Sequence, residues 1–233
     1  MKVLALILAC ALATAQGRSA KVATTAVGRA AALGENPWVV HLRLAVSTSG
    51  FLNSCAGSLI SSSWVLTSAG CIADARFIWI RYGLVNVVNP ELVTETTAVR
   101  PHATDDIAVV GINRFVASTD NIAPVGLASS DAEMPSAGRF CAWGADENDA
   151  PAELLQCYDV ELSSADGLLV ADVSATRFDV GAPLVSDGIQ VGLAVSSADG
   201  ETMTLIKIND KITEFIQPGG YLAWISQQTG IPF

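Results

Sequence analysis

Basic residues are scarce in this chain. Thirteen Lys and Arg stand against 23 Asp and Glu, a formal charge of −10. No Lys/Arg cluster exists to track a phosphate backbone, which excludes nucleic acid as a partner, and the same field disfavours an anionic membrane surface. Charged residues make up only 15% of the chain against 51% hydrophobic, which excludes disorder. Histidine is rarer still, with only His41 and His102. Two imidazoles and no close CxxC pair make no zinc ligand set, so neither a metal nor a cofactor is expected. Beyond the N-terminus no apolar run approaches the roughly 20 residues of a membrane-spanning helix. Asn-x-Ser/Thr acceptors are missing, so N-glycosylation is not expected.

What is present begins with an address. Met1-Lys2, the apolar run Val3 to Ala13 and the small residues Ala13-Thr14-Ala15 read as a signal peptide over 1–15, followed by a short segment over 16–25. Removing it also removes Cys10, leaving Cys55, Cys71, Cys141 and Cys157 in an oxidising, extracellular compartment. Two disulfides follow, and spacing alone allows three connectivities. Only Lys21, Lys207 and Lys211 remain among the lysines, which would suit a digestive fluid.

The rest is a rhythm of short β-rich runs bounded by Gly, Asp, Asn and Ser. They are Trp38 to Leu44, Ser58 to Thr67, Phe77 to Tyr82, Leu92 to Val99, Ile107 to Ile112, Cys157 to Leu162, Ile189 to Ser196 and Thr202 to Ile208. This predicts an all-β chain. The stretch from Asn121 to Gly138 has few strand signals and divides it loosely in two. After Pro218-Gly219-Gly220, the apolar Tyr221, Leu222, Trp224 and Ile225 predict a short helix over about 220–229.

Cys55-Ala56-Gly57-Ser58-Leu59-Ile60, followed by Trp64-Val65-Leu66-Thr67-Ser68-Ala69-Gly70-Cys71, resembles the CGGSLI…WVLTAAHC segment of the trypsin/chymotrypsin-like serine proteases. Pro37-Trp38-Val39-Val40, Asp106-Ile107-Ala108-Val109, Ala142-Trp143-Gly144 and Tyr221-Leu222-Ala223-Trp224-Ile225 resemble further pieces of that family, in the right order. The resemblance runs from about Ala26 to the end. It implies two packed six-stranded antiparallel Greek-key β-barrels, one over about 26–125 and one over about 126–217, closed by the C-terminal helix. It also implies that Cys55 pairs with Cys71, which leaves Cys141 with Cys157.

Peptide cleavage in that family needs a serine, an imidazole, an orienting carboxylate and two backbone N–H donors for the oxyanion. By the resemblance the imidazole position is Gly70, the carboxylate is Asp106 and the serine position is Val180, within Phe178-Asp179-Val180-Gly181-Ala182-Pro183. Phe178 and Val180 take the oxyanion positions, and an isopropyl group can neither lose a proton nor attack a carbonyl. His41 and His102 fall outside the motif position and read as core or surface filler. The activation segment is Thr25-Ala26-Val27-Gly28-Arg29, without the family's cut after a basic residue, while the receiving aspartate, Asp179, remains. Asp179 is therefore expected to be solvated in a zymogen-like loop or paired locally, for example with Arg177. Ser174, Val195 and Ser197 take the specificity-pocket positions, and an uncharged base there disfavours a Lys or Arg side chain. Asp146, Glu147, Asp149 and Glu153 read as a solvated acidic loop rather than a calcium site.

The expected protein is a secreted, monomeric, catalytically inactive serine protease homologue. It would act by binding, as decoy, cofactor or regulator of a protease, an inhibitor or a recognition protein. The competing readings are a hydrolase with a non-standard site and a structural or storage component of a secreted fluid.

Overall fold

The computed structural model describes residues 28–46, 52–165, 167–195 and 213–233. The signal segment, residues 16–25, Ser197 and the run Thr202 to Ile208 lie outside the described residues.

The first half folds into strands β1 (Arg29–Ala30), β2 (Val39–Val46), β3 (Leu52–Ser61), β4 (Trp64–Thr67), β5 (Ala75–Tyr82), β6 (Leu92–Thr96), β7 (Val99–Pro101) and β8 (Ala108–Gly111), with the short helix α1 (Ala69–Ile72). Period-two alternation sets their faces. Ile78, Ile80 and Tyr82 of β5 are buried with Val40, Leu42 and Leu44 of β2, while Phe77, Trp79 and Arg81 point the other way. Two sequence readings are corrected here. The run Ser58 to Thr67 is a hairpin, β3 turning into β4. The run Leu92 to Val99 breaks at Thr97-Ala98, where the Ala98 N–H donates to Thr96 Oγ1 at 3.0 Å.

That break closes the barrel. The sheet order is β6-β5-β2-β3-β4-β8-β7, so a formal seven strands become a ring of six once β6 and β7 are taken as one bent strand. The second half supplies β9 (Gly126–Leu127), β10 (Ala137–Ala142), β11 (Gln156–Ala165), β12 (Leu168–Ala171), β13 (Pro183–Ser186), β14 (Ile189–Ala194) and β15 (Thr213–Ile216). Its order is β11-β10-β13-β14-β15-β12, and β12 pairs back onto β11, a second ring of six. Two short strands lie outside that ring. β9 makes a parallel pair with β14, an exception to the expected antiparallel pattern, and β1 pairs with β11 through Arg29↔Cys157. β1 thus belongs to the second sheet rather than to the 26–125 barrel.

Disulfides join Cys55 to Cys71 and Cys141 to Cys157. Phe140, Leu155, Leu169, Leu184 and Phe215 fill the second barrel. A third cluster, including Leu66, Ile107, Val109, Leu193 and Ile216, lies between the barrels. A 3-10 turn (Pro218–Tyr221) leads into helix α2 (Leu222–Thr229), whose fully buried Ile225 joins that cluster. Its Gly230 cap is left-handed, as a helix end favours.

A buried polar contact also locks the barrels together. Ser58 Oγ on β3 donates to Gln190 Oε1 on β14 at 2.6 Å, and Gln190 Nε2 donates to the Gly192 carbonyl at 3.0 Å. Both residues are fully buried. Gln190→Leu should cost about 2 kcal/mol in urea unfolding, because it leaves the Ser58 hydroxyl without a partner. Adding Ser58→Ala should recover much of the loss; no recovery would show that the pair does not act as a unit.

Candidate functional site

Ser68 caps α1, its hydroxyl accepting from the Cys71 N–H. The same hydroxyl donates to Asp106 Oδ1, and the Gly70 N–H donates to that oxygen at 2.6 Å. Gly70 and Asp106 are therefore in direct contact. Chemically, this is a carboxylate that accepts from a hydroxyl and a backbone amide.

The loop from Thr176 to Ala182 faces this cluster from the second barrel. The Val180 carbonyl accepts from the Ala56 N–H of β3 at 3.1 Å. Gly181, at φ +88°, packs so closely that a β-carbon there would lie 2.2 Å from Thr67 Oγ1 and 2.3 Å from the Ala56 carbonyl. Val180 and Gly181 thus sit against the end of β4, directly before Ser68. Neither Gly70 nor Val180 offers a group able to attack a carbonyl or to move a proton.

Asp179 settles between its two expected states. It is only 3% exposed, so it is not solvated but paired locally, with Thr176 rather than with Arg177. Its Oδ2 accepts from the Thr176 N–H (2.7 Å) and hydroxyl (2.9 Å), and its Oδ1 accepts from the Gly144 N–H (2.6 Å). Arg177 turns outward to Asp149, with Nη1 2.6 Å from Oδ2 and Nη2 2.7 Å from the Asp149 carbonyl. The physical reason is that neutral donors satisfy a buried carboxylate without burying a second ion. A threonine three residues before an aspartate is the local signal for such a cap, and sequence reading passed over it.

The same threonine draws in Phe178. The Phe178 N–H donates to Thr176 Oγ1 at 3.3 Å, and the buried ring lies under the Arg177 guanidinium, 4.5 Å away. Thr176 to Asp179 form a closed turn, sealed by Asp179 N–H to Thr176 carbonyl at 2.9 Å. The Phe178 amide thus points into its own loop.

Burial pushes the Asp179 carboxyl above its ordinary value, and its three hydrogen bonds pull it only part of the way back. The folded chain holds this proton to higher pH than the unfolded one. Its contribution is then fully favourable below the ordinary aspartate range and is lost as pH rises through the raised value. Relative to Asp179→Asn, the wild-type chain should lose stability across that window in urea unfolding at serial pH. A pH-independent difference would contradict this.

The remaining candidates lie elsewhere. His102 Nδ1 accepts from the Asp105 N–H at 3.2 Å, and its ring meets Tyr221 and Trp224 edge to face. His41 is buried against Trp143, and burial beside Arg81 and Arg43 holds its pKa down to about 3, so it is neutral. Ser174 is exposed, and Val195 is tied by its N–H to the Glu214 carbonyl. In the acidic loop, Asp146 Oδ1 accepts from the Asn148 and Ala150 N–H groups, and Asp149 holds Arg177. Among the described residues no group of three His, Cys, Asp or Glu converges as a metal site would require.

Comparison with known proteins agrees with the architecture. Brachyurin of Leptuca pugilator is 28% identical over 205 residues, covering 76% of this chain and 88% of its own. Trypsin delta of Drosophila melanogaster is 26% identical over 197 residues, covering 71% and 75%. A solved structure of HL collagenase superposes with a TM-score of 0.75 at 24% identity, covering 88% of this chain and 99% of its own, a likeness of fold. The family model described as Trypsin matches residues 26–217, and with two β-rings and a C-terminal helix framing the cluster, the chain belongs to the trypsin family of serine proteases.

Proposed function

We propose that this chain is a non-catalytic member of its family, secreted, and acting by binding another protein such as a protease, an inhibitor or a recognition protein. The observation that carries the reading is the cluster itself. Gly70 and Val180 stand where resemblance puts the base and the nucleophile, and Asp106 is engaged by Ser68 and the Gly70 amide. The inward-turned Phe178 N–H supports it further, since an oxyanion donor must face the cleft. Secretion is supported by the N-terminal signal pattern and by the two disulfides.

The purified chain should show no turnover of a mixed peptide-amide library. Hydrolysis that disappears in a cleft-blocked variant would establish a non-standard hydrolase instead. Affinity capture from the native secreted fluid, against a denatured-bait control, should recover one selective protein partner. Abundance without selective recovery would favour a storage or structural role.

A further inference from the structure

A cavity of about 790 Å³ opens on the outer face of the first barrel, between strands β2, β3, β5 and β6 and the loop at Pro151 to Glu153. None of its lining residues belongs to the Gly70–Asp106–Val180 cluster. Register explains its composition. His41 pairs with Arg81 and Arg43 with Trp79 across β2 and β5, so the two arginines sit on a diagonal of the same face. The chain carries a net negative charge, yet among the described residues neither arginine is within ion-pair distance of a carboxylate. Each is tethered instead to a neutral oxygen. Arg43 Nη1 donates to Ser54 Oγ at 3.0 Å, and Arg81 Nη1 donates to the Val87 carbonyl at 3.1 Å. Each fork thus keeps further donors in hand, and among the described residues none of them is taken up by an ion pair.

One carboxylate, the exposed Glu153, and the Ser54 hydroxyl also line the cavity, and the rest of the wall is largely apolar. Leu52, Val88 and Val93 are 45%, 62% and 41% exposed, and all three line this cavity beside Trp79. In the same wall the buried His41 Nδ1 has no hydrogen-bond partner. Two forked cations against one exposed carboxylate, in a largely apolar bowl of this size, match a planar anion with an apolar body.

We infer that this cavity is a binding site for a small organic carboxylate with an apolar tail, its carboxylate bridging Arg43 and Arg81 and its tail lying on Trp79, Val88 and Val93. Binding here asks nothing of the Gly70–Asp106–Val180 cluster, so a peptide-cleaving chain would hold the same ligand.

Calorimetric titration of the folded mature chain with 4-phenylbutanoate tests it. Saturable one-to-one binding is expected, with 4-phenylbutanamide at least tenfold weaker because it lacks the charge. Arg43→Gln and Arg81→Gln should each weaken the carboxylate about tenfold while leaving circular dichroism unchanged, since both side chains lie on the outer face. The amide comparison is made on the unaltered chain and stands even if a variant misfolds. Absence of saturable binding, equal binding of acid and amide, or equal competition by inorganic phosphate would overturn the site. Binding of an acidic, apolar-flanked peptide without any binding of 4-phenylbutanoate would overturn it in favour of a protein-docking surface.

Discussion

The double substitution Gly70→His and Val180→Ser is expected to leave the chain at least about 10⁴-fold below an intact family member in hydrolysis of a chromogenic peptide anilide. Two groups would be back, but their surroundings would not. A new imidazole must share Asp106 with the Ser68 hydroxyl and the residue-70 amide, both of which already hold its Oδ1. The Phe178 N–H still donates to Thr176, and losing one oxyanion donor alone costs roughly 10²- to 10³-fold. Adding Phe178→Gly and Ser68→Ala should therefore raise the rate over the double variant. Robust turnover by the double variant itself would mean that the cleft is better organised than its hydrogen bonds indicate.

Gly181→Ala should unfold more of the protein than any other single glycine change considered. A β-carbon at φ +88° would press into Thr67 Oγ1 and the Ala56 carbonyl, which are themselves hydrogen-bonded at 2.8 Å. Backbone of the first barrel cannot retreat without parting from the second. A loss of about 4 kcal/mol or more is expected, a fall of roughly 10 °C in Tm by calorimetry. Gly188→Ala is the control, because it shares a positive φ of +78° but meets nothing within 4 Å. It should cost only about 1 kcal/mol. Equal losses at the two positions would show that φ strain, rather than the inter-barrel contact, sets the penalty.

The β class and the C-terminal helix were legible because period-two runs such as Phe77 to Tyr82 and the apolar face of Tyr221 to Ile225 stand out locally. The strand at Ala137–Ala142 was not, since Ala-Gly-Arg-Phe-Cys-Ala contains no β-branched residue and owes its place to pairing with β11 and β13. The break at Thr97-Ala98 was hidden by β-branched neighbours that look like continuous strand. β1, only two residues long, carries no period at all.

In the candidate site, motif order put residues in correspondence but could not reveal their partners. That Ser68 reaches Asp106, 38 residues away in sequence, depends on β8 pairing with β4 at Thr67↔Ala108. That Asp179 is capped by Thr176 and Gly144, rather than by Arg177, depends on two loops meeting in space.

The bend at Thr97-Ala98 has a consequence for how any partner must hold on. By joining β6 to β7 it leaves the first ring without a long bare edge, and the return of β12 onto β11 does the same for the second. Among the described residues the bare edges that remain are short, those of β1, β6, β7 and β9, so a partner that adds its own strand to a sheet finds little main chain to extend. Recognition there falls mainly to side chains and loop tips, where single substitutions shift affinity without disturbing the rings.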